Sequence, residues 1–159
     1  NSGSINYLYQ NKSFNSSSLE ISSFASYVPQ STFFFDGKIK EIITYIYPNQ
    51  KITDFKIYEI LEIVELKKDE YNNILNLEKY TSNNMSEYSG GQKQRIAICQ
   101  ALLNPNLKLL VLDETLSMVD KDTSMKILSN IKQRFPNLTT ILVSHDSSFV
   151  PEYFKKIIF

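Results

Sequence analysis

The sequence predicts an α/β fold, a parallel sheet carrying an inserted α-helical subdomain, and three observations point there. Short apolar runs at residues 25–29, 107–112 and 139–143 each end beside a polar residue suited to chemistry, as strands of a parallel sheet do at their carboxyl ends. Phe55, Ile57, Tyr58, Ile60, Leu61, Ile63 and Val64 recur near the helical period, and Leu66 and residues 74–77 continue it, so residues 53–80 read as helical. Finally, Ser89-Gly90-Gly91 opens a helix-forming run with apolar residues at Ile96, Ile98, Ala101, Leu102 and Leu103. At 159 residues and 42% hydrophobic content the chain is long enough for one domain with a real core.

Seventeen basic residues balance seventeen acidic ones, so net charge points to no nucleic-acid or anionic-membrane partner. The single cysteine, Cys99, lies among apolar residues and reads as a small packed side chain rather than a redox or metal group. No basic start followed by an apolar core opens the chain, and no run approaches the length of a membrane span, so neither a secretion signal nor a span is expected within it. The chain opens on Asn1 and stops on Ile157-Ile158-Phe159 without a turn residue, so both ends are expected to be cuts.

In chain order, residues 4–9 alternate apolar and polar, which predicts a half-buried strand, and the polar tract 10–18 predicts a loop. Ser17 stands three residues before Glu20, a capping pattern for a short helix. Pro29 ends the strand at 25–29 and leaves Gln30 just past its carboxyl end. A glutamine there can bond a metal-bound water or a phosphate, although a loop glutamine without such a task is the common case. Phe33, Phe34 and Phe35 are read with equal weight as core and as a partner-facing cluster. Residues 80–87 read as a polar linker. At Ser89-Gly90-Gly91, the unpaired amides of a first helical turn make a site for a phosphate, the plainer reading being a glycine turn before a surface helix.

Pro105 then breaks the chain. The apolar run 107–112, broken only by Lys108, predicts a strand buried on both faces, and Asp113 and Glu114 at its end are costly there unless they have a task. A helix is expected from Lys121 to Arg134, ended by Pro136, and the strand at 139–143 delivers Ser144-His145-Asp146. His145 is the only histidine. Residues 154–159 begin a further strand.

The strings YVPQ at 27–30, SGGQKQRIA at 89–97, LLVLDE at 109–114, TLSMVD at 115–120 and SHD at 144–146 occur in one order that resembles the ATP-binding cassette (ABC) family of ATPases. They match its Q-loop, signature, Walker B, D-loop and switch-histidine motifs, and the aromatic turn at 32–37 is similar to the exporter version. The resemblance implies a P-loop NTPase-like sheet, with 1–36 and 105–159 as α/β core parts and 37–104 as the helical subdomain bearing the signature. It implies ATP and Mg2+ as cofactors, with Asp113 and Gln30 serving the metal, Glu114 as the base, and His145 and Gln30 at the catalytic site. Ser89, Gly90, Gly91 and Gln92 would contact ATP held by a second nucleotide-binding domain paired head to tail, and Ser117 and Asp120 belong to the D-loop. The other implied partner is the transmembrane domain of a transporter, at the cytoplasmic face of the cell membrane; no nucleic acid is implied. Tyr88, Gln100, Thr115 and Leu116 depart from the family's usual residues. Residues 82–84 share a serine with the tract before the signature in bacteriocin exporters but lack its glutamate and glycine.

The glycines, Gly3, Gly37, Gly90 and Gly91, fit no GxxxxGK[ST] pattern, so these residues carry no Walker A loop. The chain alone is therefore expected to bind ATP poorly, to hydrolyse essentially none, and to be marginally stable or prone to aggregate. Two other readings stand beside the exporter: a non-catalytic module that donates its signature to a complete partner, and a soluble ABC ATPase. A chromosome-maintenance ATPase is disfavoured by the short, heptad-free separation of Gln30 from Ser89.

Overall fold

The computed structural model describes residues 6–9, 12–15, 21–68 and 74–145. The chain enters as an antiparallel hairpin, β1 (Asn6–Tyr9) on β2 (Lys12–Asn15), with Tyr9 opposite Lys12. The loop expected at 10–18 is therefore in part a strand. Pairing Tyr9 with Lys12 leaves a two-residue connection, a length that favours hairpins, and cross-strand hydrogen bonding outweighs the polar composition. A single turn, α1 (Ile21–Phe24), leads into β3 (Ala25–Val28). The capping pattern of Ser17 and Glu20, the acid Asp146 and the strand expected at 154–159 lie outside the described residues.

Gly37 and Lys38 form β4 (Gly37–Lys38), followed by α2 (Ile39–Thr44), whose start is held by the Glu41 carboxylate accepting from the Lys38 amide. Next comes α3 (Asp54–Ile63), capped where Thr53 Oγ1 accepts from the Lys56 amide. It ends at Ile63, and Glu65 just beyond takes a left-handed φ of 55°. The helix expected over 53–80 is thus ten residues long. Leu66, Leu75 and Leu77 are buried all the same, but on non-helical backbone, so their helix-like spacing reflects core-facing turns. The tract 80–87, expected as a linker, begins as β5 (Tyr80–Thr81), antiparallel to β4, and continues through turns in which Asn83, Asn84 and Met85 have positive φ. Met85 is fully buried and Asn84 Oδ1 accepts from the Phe34 amide at 2.7 Å, so this polar stretch is anchored to the body.

The remaining elements are α4 (Gly90–Leu102), β6 (Leu109–Asp113), α5 (Lys121–Arg134) and β7 (Thr139–Val143), the last two with the expected bounds. The main sheet is parallel in the order β3-β6-β7, in register at Val28↔Leu112 and Leu112↔Leu142. Its residues alternate between faces. Ser26, Val28, Leu110 and Leu112 share the face toward α4, where Ser26 Oγ donates to the Ala101 carbonyl at 3.1 Å. On the other face Leu109 and Val111 are half-exposed, and Ile141 and Val143 of β7 are 48% and 45% exposed. The apolar run 107–112 is therefore buried on one face only, which corrects the expectation of two.

The core joins Ile39, Ile42 and Ile43 of α2 to Ile57, Ile60 and Leu61 of α3, and Ile96 and Ile98 of α4 to Ile127 and Leu128 of α5. Each such side chain contributes about 1.5–3 kcal/mol by leaving water. Cys99 is buried there, its thiol pKa pushed up by burial, in the packing role expected of it. Gln100, one of the departures from the family pattern, is buried and donates to the Ile42 carbonyl at 2.6 Å, tying α4 to α2. The phenylalanine cluster divides between its two readings: Phe34 is core, Phe33 is 80% exposed, and Phe35 stands edge-on to Tyr45 with ring centroids 5.2 Å apart.

Candidate functional site

The carboxyl end of the sheet and the amino end of α4 meet at the turn of residues 115–120. Asp113 is the last residue of β6, and Glu114 beyond it takes a left-handed φ of 51°, a conformation that costs a non-glycine residue on the order of 1–3 kcal/mol. Glu114 is held in it by its amide donating to the Val143 carbonyl at 3.0 Å and by its carbonyl accepting from Ser117 at 3.1 Å. Thr115, one of the departures from the family pattern, is fully buried, and its hydroxyl donates to the Val28 carbonyl at 2.9 Å. That bond clamps the ends of β3 and β6 together.

Glu114, Ser117, Lys121, Val143, Ser144 and His145 line a cavity of about 320 Å³. His145 Nε2 lies 3.6 Å from Glu114 Oε1, an ion pair only when the imidazole is protonated. The imidazole is 95% exposed, whereas the Glu114 side chain is 12% exposed, with Oε1 buried and, among the described residues, without a hydrogen-bond partner. Asp113 Oδ2 accepts from the Tyr27 hydroxyl at 2.7 Å, and that bond raises the phenol's pKa. Gln30 is exposed two residues beyond β3 and is not among the residues lining this cavity, although the register Val28↔Leu112 brings it to the level of Glu114 along the sheet.

Ser89 is the N-cap of α4. Its Oγ accepts from the Gln92 amide at 3.2 Å, and Gln92 Oε1 accepts from the Ser89 amide at 2.8 Å, a reciprocal capping box. No acidic residue occupies the first turn of α4, whereas Glu41, Asp54 and Asp122 stand in the first turns of α2, α3 and α5. The positive end of the α4 dipole thus has no carboxylate of its own there. Gly91 is buried: a Cβ on it would sit 2.6 Å from the Met118 carbonyl oxygen and 3.5 Å from Val119. A Cβ on Gly90 would run into the Met118 sulfur. Asp120 caps α5 by accepting from the Thr123 amide at 2.9 Å, which holds its carboxyl below the usual aspartate range.

Gln94 and Arg95 escaped the sequence reading. Gln94 is 3% exposed; its Nε2 donates to Ser117 Oγ at 3.3 Å and its Oε1 accepts from the Met118 amide at 3.1 Å. Arg95 donates to the Glu65 carbonyl, and burial lowers its pKa. The signal for Gln94 is its helical phase, since it falls on one face with Gly91 and Ile98, where a polar side chain must find partners. The donors available for a metal, Asp113, Glu114 and Gln30, are oxygen ligands, and among the described residues no group of three or more potential ligands forms a protein cage. That set fits Mg2+, which keeps waters and phosphates in its shell and takes one or two carboxylates from protein.

The probable multidrug resistance ABC transporter ATP-binding/permease protein YheI of Bacillus subtilis is 36% identical over 124 residues, 78% of this chain and 21% of that protein. The lactococcin-A transport/processing ATP-binding protein LcnC of Lactococcus lactis is 35% identical over 120 residues, 76% of this chain and 16% of that protein. The chain thus spans about a fifth or less of either relative. A solved bacterial Atm1-family ABC exporter with ATP bound superposes with a TM-score of 0.68 over 80% of this chain and 22% of that one, at 24% identity, a likeness of fold that makes this sheet P-loop NTPase-like. Residues 1–117 match the sequence profile described as ABC transporter, and the chain belongs to that family.

Proposed function

We propose that these residues form the later part of the nucleotide-binding domain of an ABC exporter, which couples ATP hydrolysis to the movement of a substrate across a membrane. The observation that carries this reading is the Glu114 carboxylate, held on a strained backbone with Oε1 buried and unpartnered beside His145. A buried acceptor without a donor costs about 1–3 kcal/mol, and a water awaiting deprotonation is the donor such an oxygen suits. In this reading Glu114 takes the proton of the attacking water, His145 contacts the γ-phosphate, and Asp113 with Gln30 holds the ion through its water shell. Bound Mg2+ neutralises charge on the phosphates. The Ser89 hydroxyl and the α4 amino end, with Gly90, Gly91 and Gln92 around them, face ATP held by a second domain. Ser117 and Asp120 carry the turn that lies between the two sites.

Residues 1–36 and 105–159 are proposed as core parts and 37–104 as the helical subdomain. No Walker A pattern occurs within the 159 residues, so this stretch alone is proposed to be inactive. Exposed Phe33, Tyr45 and Ile46 line a cavity of about 390 Å³ beside α4, which suits contact with a transmembrane partner at the cytoplasmic face. Among the described residues no helix is long and apolar enough to cross a membrane. A transport role draws support from the transport functions in the relatives' names.

The test is ATP turnover by the gene product that contains this chain. Glu114→Gln is expected to cut turnover by about 10²–10⁴-fold while Mg2+-dependent ATP binding persists. Wild-type turnover in that variant would remove the base role.

A further inference from the structure

Tyr27, Val111 and Asp113 share one face of the sheet. Tyr27 pairs with Val111 in the ladder, and Asp113 stands two residues further along β6, so Tyr27 is the diagonal neighbour of Asp113. A tyrosine is long enough to span that diagonal, and its hydroxyl donates to Asp113 Oδ2 at 2.7 Å. Tyr27 is 59% exposed, so burial alone does not account for the direction of its ring. The geometry between the strands is fixed independently by Thr115, whose buried hydroxyl bonds the Val28 carbonyl one residue along from Tyr27.

We propose that Tyr27 is a positioning residue for Asp113. By engaging Oδ2 it fixes the carboxylate's orientation and leaves the second oxygen to face the water shell of a bound divalent cation. This rests on the metal role proposed for Asp113. A carboxylate at a strand end otherwise loses side-chain entropy when it adopts one orientation for an ion; a hydrogen bond already made to a charged acceptor meets that cost in advance.

The experiment is Mn2+ binding, read from the electron paramagnetic resonance of the free ion, by the gene product containing this chain loaded with a non-hydrolysable ATP analogue. Tyr27→Phe keeps the ring and removes the donor. It is expected to weaken Mn2+ about tenfold, in line with other partners that orient metal ligands. Affinity for the analogue in EDTA and the melting temperature of the metal-free protein stay at wild-type values. Asp113→Asn is expected to weaken Mn2+ further still. Placing 4-aminophenylalanine at position 27 returns an N–H donor at the ring's far end and restores the affinity. Wild-type or tighter Mn2+ binding by Tyr27→Phe, with Asp113→Asn impaired, overturns the positioning role and leaves the metal role of Asp113 standing. Unchanged binding in Asp113→Asn overturns both. A loss in Tyr27→Phe that the amino analogue fails to restore assigns Tyr27 to packing and overturns the proposal.

Discussion

The amino end of α4 and the carboxyl end of the sheet meet at one turn, yet they are built to different degrees. At α4 the polar groups find partners: Ser89 and Gln92 cap each other, and both ends of the Gln94 amide are bonded. At the sheet end Glu114 is strained and has an unpartnered oxygen, His145 stands in solvent, and Ile141 and Val143 are about half exposed. The first region is preorganised by its own residues, while the second holds groups with bonding capacity left over among the described residues. A surface that receives a ligand held by another domain gains from being rigid in advance. Acid–base chemistry instead needs a group with bonding capacity left over.

If rigidity at α4 comes from its contact with the turn, Gly91→Ala should be the most damaging substitution there. The added Cβ meets a backbone carbonyl at 2.6 Å, and the turn must shift to admit it. Overpacking of this kind costs about 1–3 kcal/mol, against which alanine's helix propensity returns about 1 kcal/mol, so a net loss of up to about 2 kcal/mol is expected by urea denaturation. Gly90→Ala is the control. Its Cβ meets the far end of Met118, a side chain that is 66% exposed and free to swing, so stability should hold or rise. Equal effects from both substitutions would break the contrast, because the turn would then not be a fixed wall.

The same contrast decides what was legible in the sequence. Starts and stops that rest on local residue types were readable: the helix start at Ser89-Gly90-Gly91, Pro29 and Pro136 as breakers, and Asp113-Glu114 at a strand end. Residues 64–68 and 74–79 were misread as helix because Leu66, Leu75 and Leu77 are buried on turns, and a core-facing turn leaves the same apolar spacing as a helix. The hairpin strand β2 was missed because its partner, rather than its composition, makes it a strand. The half-exposed face of β6 was missed for a related reason, since continuous apolar sequence reports what a strand can bury and not what lies over it. Helical phase shows that Gln94 needs partners, but no local pattern names them 24 residues away, nor the contact of Tyr27 86 residues away.

Gln94→Leu offers a finer cut. Leucine matches the volume but leaves the Met118 amide without an acceptor and Ser117 Oγ without its donor. The expected cost is about 1 kcal/mol, at the low end for a buried group losing its partner, because Met118 and Ser117 are themselves exposed and water can reach part of the gap. Gln94 and Gly91 hold the same turn, so their effects should not add. In a double-mutant cycle Gly91→Ala with Gln94→Leu is expected to cost at least about 0.5 kcal/mol less than the sum. Strict additivity would mean that the two residues support the turn separately and that α4 and the turn are not one rigid unit.

The smallest effect separates the two helix starts that flank the turn. Ser89 caps α4 with a neutral hydroxyl, whereas Asp120 caps α5 with a carboxylate that the Thr123 amide holds below its usual pKa. A folded-state pKa below the unfolded value of about 3.9 means that the Asp120 contribution is complete above about pH 4 and is lost as pH falls through the lower folded value. Asp120→Asn keeps a good cap and removes the titration. Its stability at pH 7 should stay close to wild type, and as pH falls below about 4 its denaturation midpoint should fall less steeply. Ser89→Asn, by contrast, should leave the acid limb of the curve unchanged, because the cap of α4 does not titrate in either form. If Asp120→Asn follows the wild-type acid curve, the Asp120–Thr123 bond adds no pH dependence. The two helix starts would then differ in chemistry without differing in their response to acid.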